Sequence, residues 1–412
     1  MTLRCPVFDK LRCVWAVMAV SLAAANARAN EAIHYRQHVK PILALRCFSC
    51  HGALKQEAGL RLDAASLILK GGDDGPVIVP GNSQASRLVA RISAADESRM
   101  PPEGEPLSAE EVERIRAWIE QGAVVPEEPI PPDPREHWSF RPPQRPPLPA
   151  GYEGGHPVDA FLGQEYARLG IEPLGPAEKH VLLRRVYLDL IGLPPTREEL
   201  HAFLNDTAPD AYERVVDRLL ASPRYGERWG RHWMDVWRYS DASGYGNEVR
   251  YSQRHIWRWR DWIVESLNAD KGYDRMLQEM LAADELAPDD PQVLRATGYL
   301  ARNWYRFNRN TWLDATLEHT FKAFLGITLN CARCHDHMYD PIPQQDYYRV
   351  RAFFEPHQVR TDRVPGQPDI EKDGLARVFD QDLAAPTYLF VRGNEKQPVT
   401  DQPLSPGLPA VL

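Results

Sequence analysis

Helical periodicity over most of 412 residues, two capping-box signatures and one proline-dense break predict a mainly α protein with a small N-terminal domain and a larger helical one. Between residues 157 and 358 no segment alternates apolar and polar residues well enough to predict strands. The length allows two or three domains, and 43% hydrophobic with 26% charged residues is ordinary for a soluble chain. A net charge of −8 gives no case for nucleic-acid binding.

The N-terminus reads as an export signal. Arg4, Lys10 and Arg12 precede an apolar run from Cys13 to Ala25, and Ala27-Arg28-Ala29 fits the small-residue cleavage rule. Residues 1–29 are therefore expected to be removed, leaving a mature chain that starts near Asn30. The run is too short for a comfortable membrane span, an uncleaved anchor being the competing reading. No cysteine sits at the cleavage point, which argues against a lipoprotein, and no later stretch is apolar enough to cross a bilayer. The mature chain is expected to be exported, with no stable membrane span.

A first helix is expected over 33–46, with Ile33, Val39, Ile42, Leu43 and Leu45 on its apolar side and a kink at Pro41. It leads into Cys47-Phe48-Ser49-Cys50-His51, and Cys331-Ala332-Arg333-Cys334-His335 repeats the pattern. This is the CxxCH form of c-type haem attachment. Two thiols add across the two vinyl groups of one porphyrin, so they must sit three positions apart on one turn. The histidine that follows gives the iron its proximal nitrogen. With this composition one such run is expected roughly 0.003 times per random chain. The two copies use every cysteine outside the first 13 residues. A zinc site drawing on both CxxC pairs would leave each following histidine unexplained. A thioredoxin-like site would want a strand before the CxxC and a βαβ setting, and neither is visible. The expected cofactor is two covalently attached haem c groups, on Cys47 and Cys50 with His51, and on Cys331 and Cys334 with His335.

Glycines and prolines from Gly59 to Gly81 mark a looped middle. A short helix is expected from Ser83, with Leu88, Val89 and Ile92 inward. Arg99-Met100-Pro101-Pro102 follows. Ser108 and Glu111 then form a capping box for a closing helix with Val112, Ile115, Trp118 and Ile119 on one face and Gly122 at its end. Helix, haem motif, loops, methionine loop and closing helix make the plan of a small class I cytochrome c over 30–125. Met100 is the expected sixth iron ligand, a thioether giving a higher potential than a second imidazole. A surface methionine in a Pro-rich loop is the competing reading.

Residues 126–149 hold ten prolines, so 126–156 reads as an extended linker or surface wrap, with His137-Trp138-Ser139-Phe140 expected to dock on a neighbouring domain. From 157 to 358 helices are expected over His180–Leu190, after a second capping box at Thr196 and Glu199, over Ala211–Ala221, and over Leu313–Leu325 leading into the second motif. Trp229, Trp233, Trp237, Trp257, Trp259 and Trp262 are interleaved with Arg228, Arg231, Arg238, Arg254, Arg258 and Arg260. They read either as packing for a porphyrin face with its propionates or as an aromatic helical core with solvated arginines. His232 is the first choice for the second haem's sixth ligand, with His255 and His319 as rivals and a five-coordinate iron as the alternative. His337 and Met338 are too near His335 in sequence to reach the opposite face easily. Residues 359–412 read as a Pro- and Asp-rich tail with one strand at Tyr388–Val391.

At these motifs the chain resembles the planctomycete-type multidomain cytochromes. Residues 34–122 are similar to their N-terminal cytochrome c domain, and 157–358 to the DUF1549 domain that follows it. The second likeness rests on Arg184–Pro195, Tyr225-Gly226-Glu227-Arg228-Trp229, Arg238-Tyr239-Ser240-Asp241 and Cys331–His337. Such proteins often continue into a third domain, DUF1553, which would begin about where Leu412 falls. A truncated or shortened member is expected. The resemblance implies haem binding and electron transfer in the periplasm, without a substrate.

The leading reading is an exported dihaem electron-transfer protein, the redox module of a larger oxidising system, working with redox partner proteins that its acidity would help to dock if they are basic. A dihaem peroxidase-type enzyme is the second reading. A module binding a saccharide or other small molecule on the Trp-rich segment is the third.

Overall fold

The computed structural model describes residues 32–102, 104–150, 155–240 and 254–412. The expected export signal lies outside the described residues. Among them the chain is mostly helical, and no helix is long and apolar enough to cross a membrane. The residues up to Arg141, with Met338–Pro341, form one compact unit; Pro142–His337 with Ile342–Leu412 form a second.

In the first unit a wide π-helical turn, Tyr35–Val39, runs into α1, Lys40–Arg46. Pro41 sits in the first turn of α1, where an amide N–H would have no helical partner. The proline therefore marks the change of helix type rather than a mid-helix kink. Val39, Ile42 and Leu43 are buried as expected, but Leu45 is 74% exposed. α2 is Ala65–Lys70, and α3 is Arg87–Ser93. Ser83 does not open α3: it is buried, and Ser86 occupies the N-cap position with its hydroxyl donating to Asn82 O and accepting from the Val79 amide. α4, Ala109–Glu120, is the closing helix, and both bonds of the Ser108–Glu111 capping box form. At its end Gly122 takes φ +92°; its amide bonds Ile119 O and that of Ala123 bonds Trp118 O, the paired bonds of a Schellman motif. Ile115, Trp118 and Ile119 join Val39, Leu43, Ile68 and Val89 in one core.

The first half of the proline-rich stretch wraps this unit. Glu128 accepts from Lys40 Nζ at 2.7 Å and from the Ala65 amide at 2.9 Å, and its side chain is 6% exposed. Arg36 and Arg61 donate to the carbonyls of Glu127 and Pro131. Proline-rich chain has few amides to offer a sheet, so it is fastened through carbonyls and one carboxylate instead. Trp138 is 77% exposed.

The second unit opens with α5, Pro157–Leu169, α6, Lys179–Leu190, α7, Arg197–Asn205, and α8, Ala211–Leu220. The Thr196–Glu199 capping box forms, and Leu183, Tyr187, Phe203, Val215 and Leu219 share a core. α9, Pro223–Val236, packs on α10, Trp257–Asn268, at two glycines. A Cβ on Gly226 would stand 2.4 Å from Val264 O. α11, Tyr273–Leu286, is followed by two single-turn helices, α12, Pro291–Leu294, and α13, Gly298–Ala301. α14, Arg309–Phe324, leads to the 3₁₀ segment Leu329–Arg333 that carries Cys331, and α15 is Gln344–Arg351.

The strand expected at Tyr388–Val391 is absent: Phe390 makes one isolated bridge, and Val391–Gly393 is a 3₁₀ turn. The sheet lies earlier, as an antiparallel hairpin of β1, His357–Asp362, and β2, Leu375–Asp380. Val378 is fully buried, and its amide bonds Thr297 Oγ1 at 3.2 Å, so the hairpin is part of the second unit's core.

Replacing Glu128 by Ala strips Lys40 and the Ala65 amide of their acceptor and is expected to cost about 1–3 kcal/mol in urea unfolding of the first unit. Replacing the exposed neighbour Glu127 by Ala is expected to stay within about 0.5 kcal/mol of the parent. Equal costs for the two would remove Glu128 from its clamping role.

Candidate functional site

The first CxxCH run is a hydrogen-bonded turn directly after α1. The amides of Cys50 and His51 both bond Cys47 O, at 3.1 and 2.8 Å. That places Cys47 and Cys50 one turn apart with His51 directly after, as thioether attachment requires. Cys47, Cys50, Cys331 and Cys334 are all free thiols. Burial pushes the Cys47 thiol up to about 12, so it is held as the neutral thiol where it packs against the apolar core of this unit. His51 Nδ1 is shut off from solvent with no hydrogen-bond partner among the described residues. An orphaned buried ring nitrogen costs about 1–3 kcal/mol, which a bound group at this histidine would offset. These residues fit a haem.

Met100 lies in the loop between α3 and α4. Its amide bonds Arg91 O at 2.9 Å, Arg91 in turn holds Ser98 O, and the methionine is 36% exposed. The loop is thus tied to α3 on either side of Arg99, with Met100 partly exposed in the same unit as His51.

The second run is held differently. Arg333 O accepts from Tyr348 Oη at 2.9 Å and from Gln344 Nε2 at 3.0 Å, and the Arg333 guanidinium pairs with Asp314 at 2.7 Å. Tyr347 Oη also bonds Asp314, and Arg351 bonds Asn310 and Glu355. His337 is buried, with Nε2 at Thr328 O and its amide on Ile342 O, so it staples the loop. Cys331, Cys334 and His335 remain exposed on this frame. His335 Nδ1 donates to Asp336 O at 2.7 Å, since a carbonyl can only accept; the neutral ring then keeps its lone pair on Nε2, the arrangement common to metal-bound histidines. Gly393, at φ +71°, lies so close that a Cβ would stand 2.5 Å from Cys334 Sγ. Sequence reasoning missed this contact; the signal was a lone glycine in a segment read as a tail.

His232 is exposed on α9, its ring 5.4 Å from that of Trp229. His255 is buried and committed, Nε2 to Ile370 O at 2.9 Å. His319 is half-buried on α14. Burial first, then the Arg302 and Arg238 guanidiniums, push it down to about 4, so its ring is neutral at pH 7. Trp237, Trp259 and Trp262 are fully buried, so half of the tryptophan set is core and offers no stacking platform. Arg231, Arg254, Arg258 and Arg260 pair with Asp235, Glu371, Asp373 and Asp261. The aromatic-core reading therefore accounts for the buried half of the tryptophans and for these four paired arginines.

Residues 47–104 match the family described as Planctomycete cytochrome C, and residues 157–359 match the family described as Protein of unknown function (DUF1549). No curated protein and no solved structure matches the chain.

Two outcomes are expected. Gly393→Ala adds a clash with Cys334 to the strain of a left-handed backbone and is expected to destabilise the second unit by about 1 kcal/mol or more beyond Gly366→Ala, which has φ +80° and open space around it; equal losses would mean that Cys334 is not pressed by this backbone. His319 is neutral when folded, so the unfolded chain binds the extra proton between its ordinary value near 6.5 and about 4. Chemical unfolding should show stability falling as pH drops through that window, and less so in His319→Gln; identical profiles would refute the depressed titration.

Proposed function

We propose, for a chain that joins a Planctomycete cytochrome C segment to a DUF1549 segment, that it is an exported dihaem c-type cytochrome that passes electrons between redox partner proteins. The observation that carries this reading is the pair of CxxCH turns, each presenting two free thiols and a histidine with a ring nitrogen available. Cys47 and Cys50 would hold one haem and His51 its iron; Cys331 and Cys334 would hold the other, with His335 on the iron. Bound haem supplies a one-electron iron couple whose potential follows its axial ligands.

The rest is the work of this chain's own residues. Met100 would give the first iron its sixth ligand, in a class I cytochrome arrangement, with the Arg91 tether limiting where the sulfur can go. His335 stays in one tautomer because Asp336 O accepts a hydrogen bond from its Nδ1–H. For the sixth position at the second haem, His319 is better prepared than His232. Its ring is neutral, and neither nitrogen is spent on a hydrogen bond among the described residues, whereas His232 faces solvent and His255 is engaged. A second reading, a dihaem peroxidase-type enzyme with an open iron at His335, is favoured by the exposure of Cys331, Cys334 and His335 together.

Potentiometric titration of the exported protein tests the main reading. Two reversible one-electron couples are expected, and Met100→Ala is expected to lower the more positive one by on the order of 100 mV while leaving the other in place. Absence of any reversible couple sinks electron transfer; unchanged potentials in Met100→Ala remove that ligand. Electron paramagnetic resonance separates the two readings: two low-spin ferric signals retire the open-iron enzyme, and one high-spin signal supports it.

A further inference from the structure

A cluster in the second unit, away from both CxxCH runs in sequence, has the makings of a metal centre. Both carboxylate oxygens of Asp284 are shut off from solvent and, among the described residues, have no hydrogen-bond partner. A ligand oxygen of Asp284, a ring nitrogen of His357 and an oxygen of Asp380 all lie within 4.8 Å of one another. A buried carboxylate without a partner is costly enough that native structures rarely keep one unless something neutralises it.

Three separate stretches build the spot. α11 leaves helical geometry at Ala282 (φ −148°, ψ 26°), two residues before Asp284. His357 opens β1 and Asp380 closes β2, and the two face each other in the ladder. His357 is buried; its Nε2 is 3.6 Å from Asp380 Oδ1, too far for a hydrogen bond but suited to two donors sharing a cation between them. The neighbouring guanidiniums are occupied elsewhere. Arg377 pairs with Asp362 and bonds Val378 O, and Arg309 donates to His357 O and Glu355 O. Burial, then Asp380 and Glu285, push Asp284 up to about 6 against the pull of its own amide and Arg377; burial pushes His357 down against Asp380.

We propose that Asp284, His357 and Asp380 bind one divalent first-row transition-metal ion. Two carboxylates and one imidazole are an oxygen-rich donor set for a hard-to-borderline ion such as Mn²⁺ or Zn²⁺, and three protein ligands leave positions open for other donors. The ion would lock α11 to the hairpin.

The test uses the full exported protein, treated with chelator and dialysed against Mn²⁺, which thiolates bind weakly, so that the result does not depend on whether haem fills the CxxCH runs. Haem is counted separately on the same samples. One Mn²⁺ per chain is expected, with a rise in Tm on saturation. Affinity should fall at least about tenfold in Asp284→Asn, and again in Asp380→Asn, with haem content and circular dichroism unchanged. Wild-type protein that takes up no Mn²⁺ and shows no Tm response overturns the proposal. So does binding that is unaffected in both variants, since the metal would then lie elsewhere.

Discussion

One backbone constraint underlies everything proposed for the first unit: the turn in which the Cys50 and His51 amides share Cys47 O. It converts a spacing in sequence into two thiols on one side of a helix end with an imidazole beside them. The turn does not stand alone. It hangs from α1, whose apolar side is anchored in the core with α4, and α4 is closed at both ends by its own caps. Tyr35, just before α1, packs on Trp118 of α4 at 5.6 Å between ring centroids. The motif thus inherits rigidity from the contact between the first and last helices.

The second motif is held by other means. Its first residues lie in a 3₁₀ segment, and it is carried by a polar frame: Asp314 accepts from Arg333 and Tyr347, Arg333 O accepts from Tyr348 and Gln344, and Thr328 O accepts from His337. A frame of this kind specifies one geometry when every member is satisfied. It also leaves the two cysteines and His335 at the surface, while Cys47 and Cys50 are partly covered. The same chemistry placed in a half-buried and an exposed setting would give two haems of different solvent access, and hence different potentials.

What the sequence disclosed was local. CxxCH spacing, the Ser108–Glu111 and Thr196–Glu199 boxes and the glycine after α4 are each decided within a few residues, and the structure keeps all of them. What it hid was long-range. Glu128 is one acid in a proline-dense stretch, and nothing near it announces Lys40 as a partner. The β1–β2 hairpin has strands of six residues; β2 is buried at four successive positions including Arg377, so its alternation is lost. The tryptophans of α9 and α10 read alike in sequence, yet Trp237, Trp259 and Trp262 are interior while Trp229 and Trp257 reach the surface. Asp284 looked like any acid near a helix end until α11 broke at Ala282 and turned it toward the hairpin.

The account depends on porphyrin being tethered to both turns. Intact-mass measurement of the mature exported chain, followed by peptide mapping, addresses this directly. The expected result is a chain heavier by two haems, with one addition on the peptide holding Cys47 and Cys50 and the other on the peptide holding Cys331 and Cys334. A mature chain with no added mass, or with only a removable zinc ion at these cysteines, would contradict it.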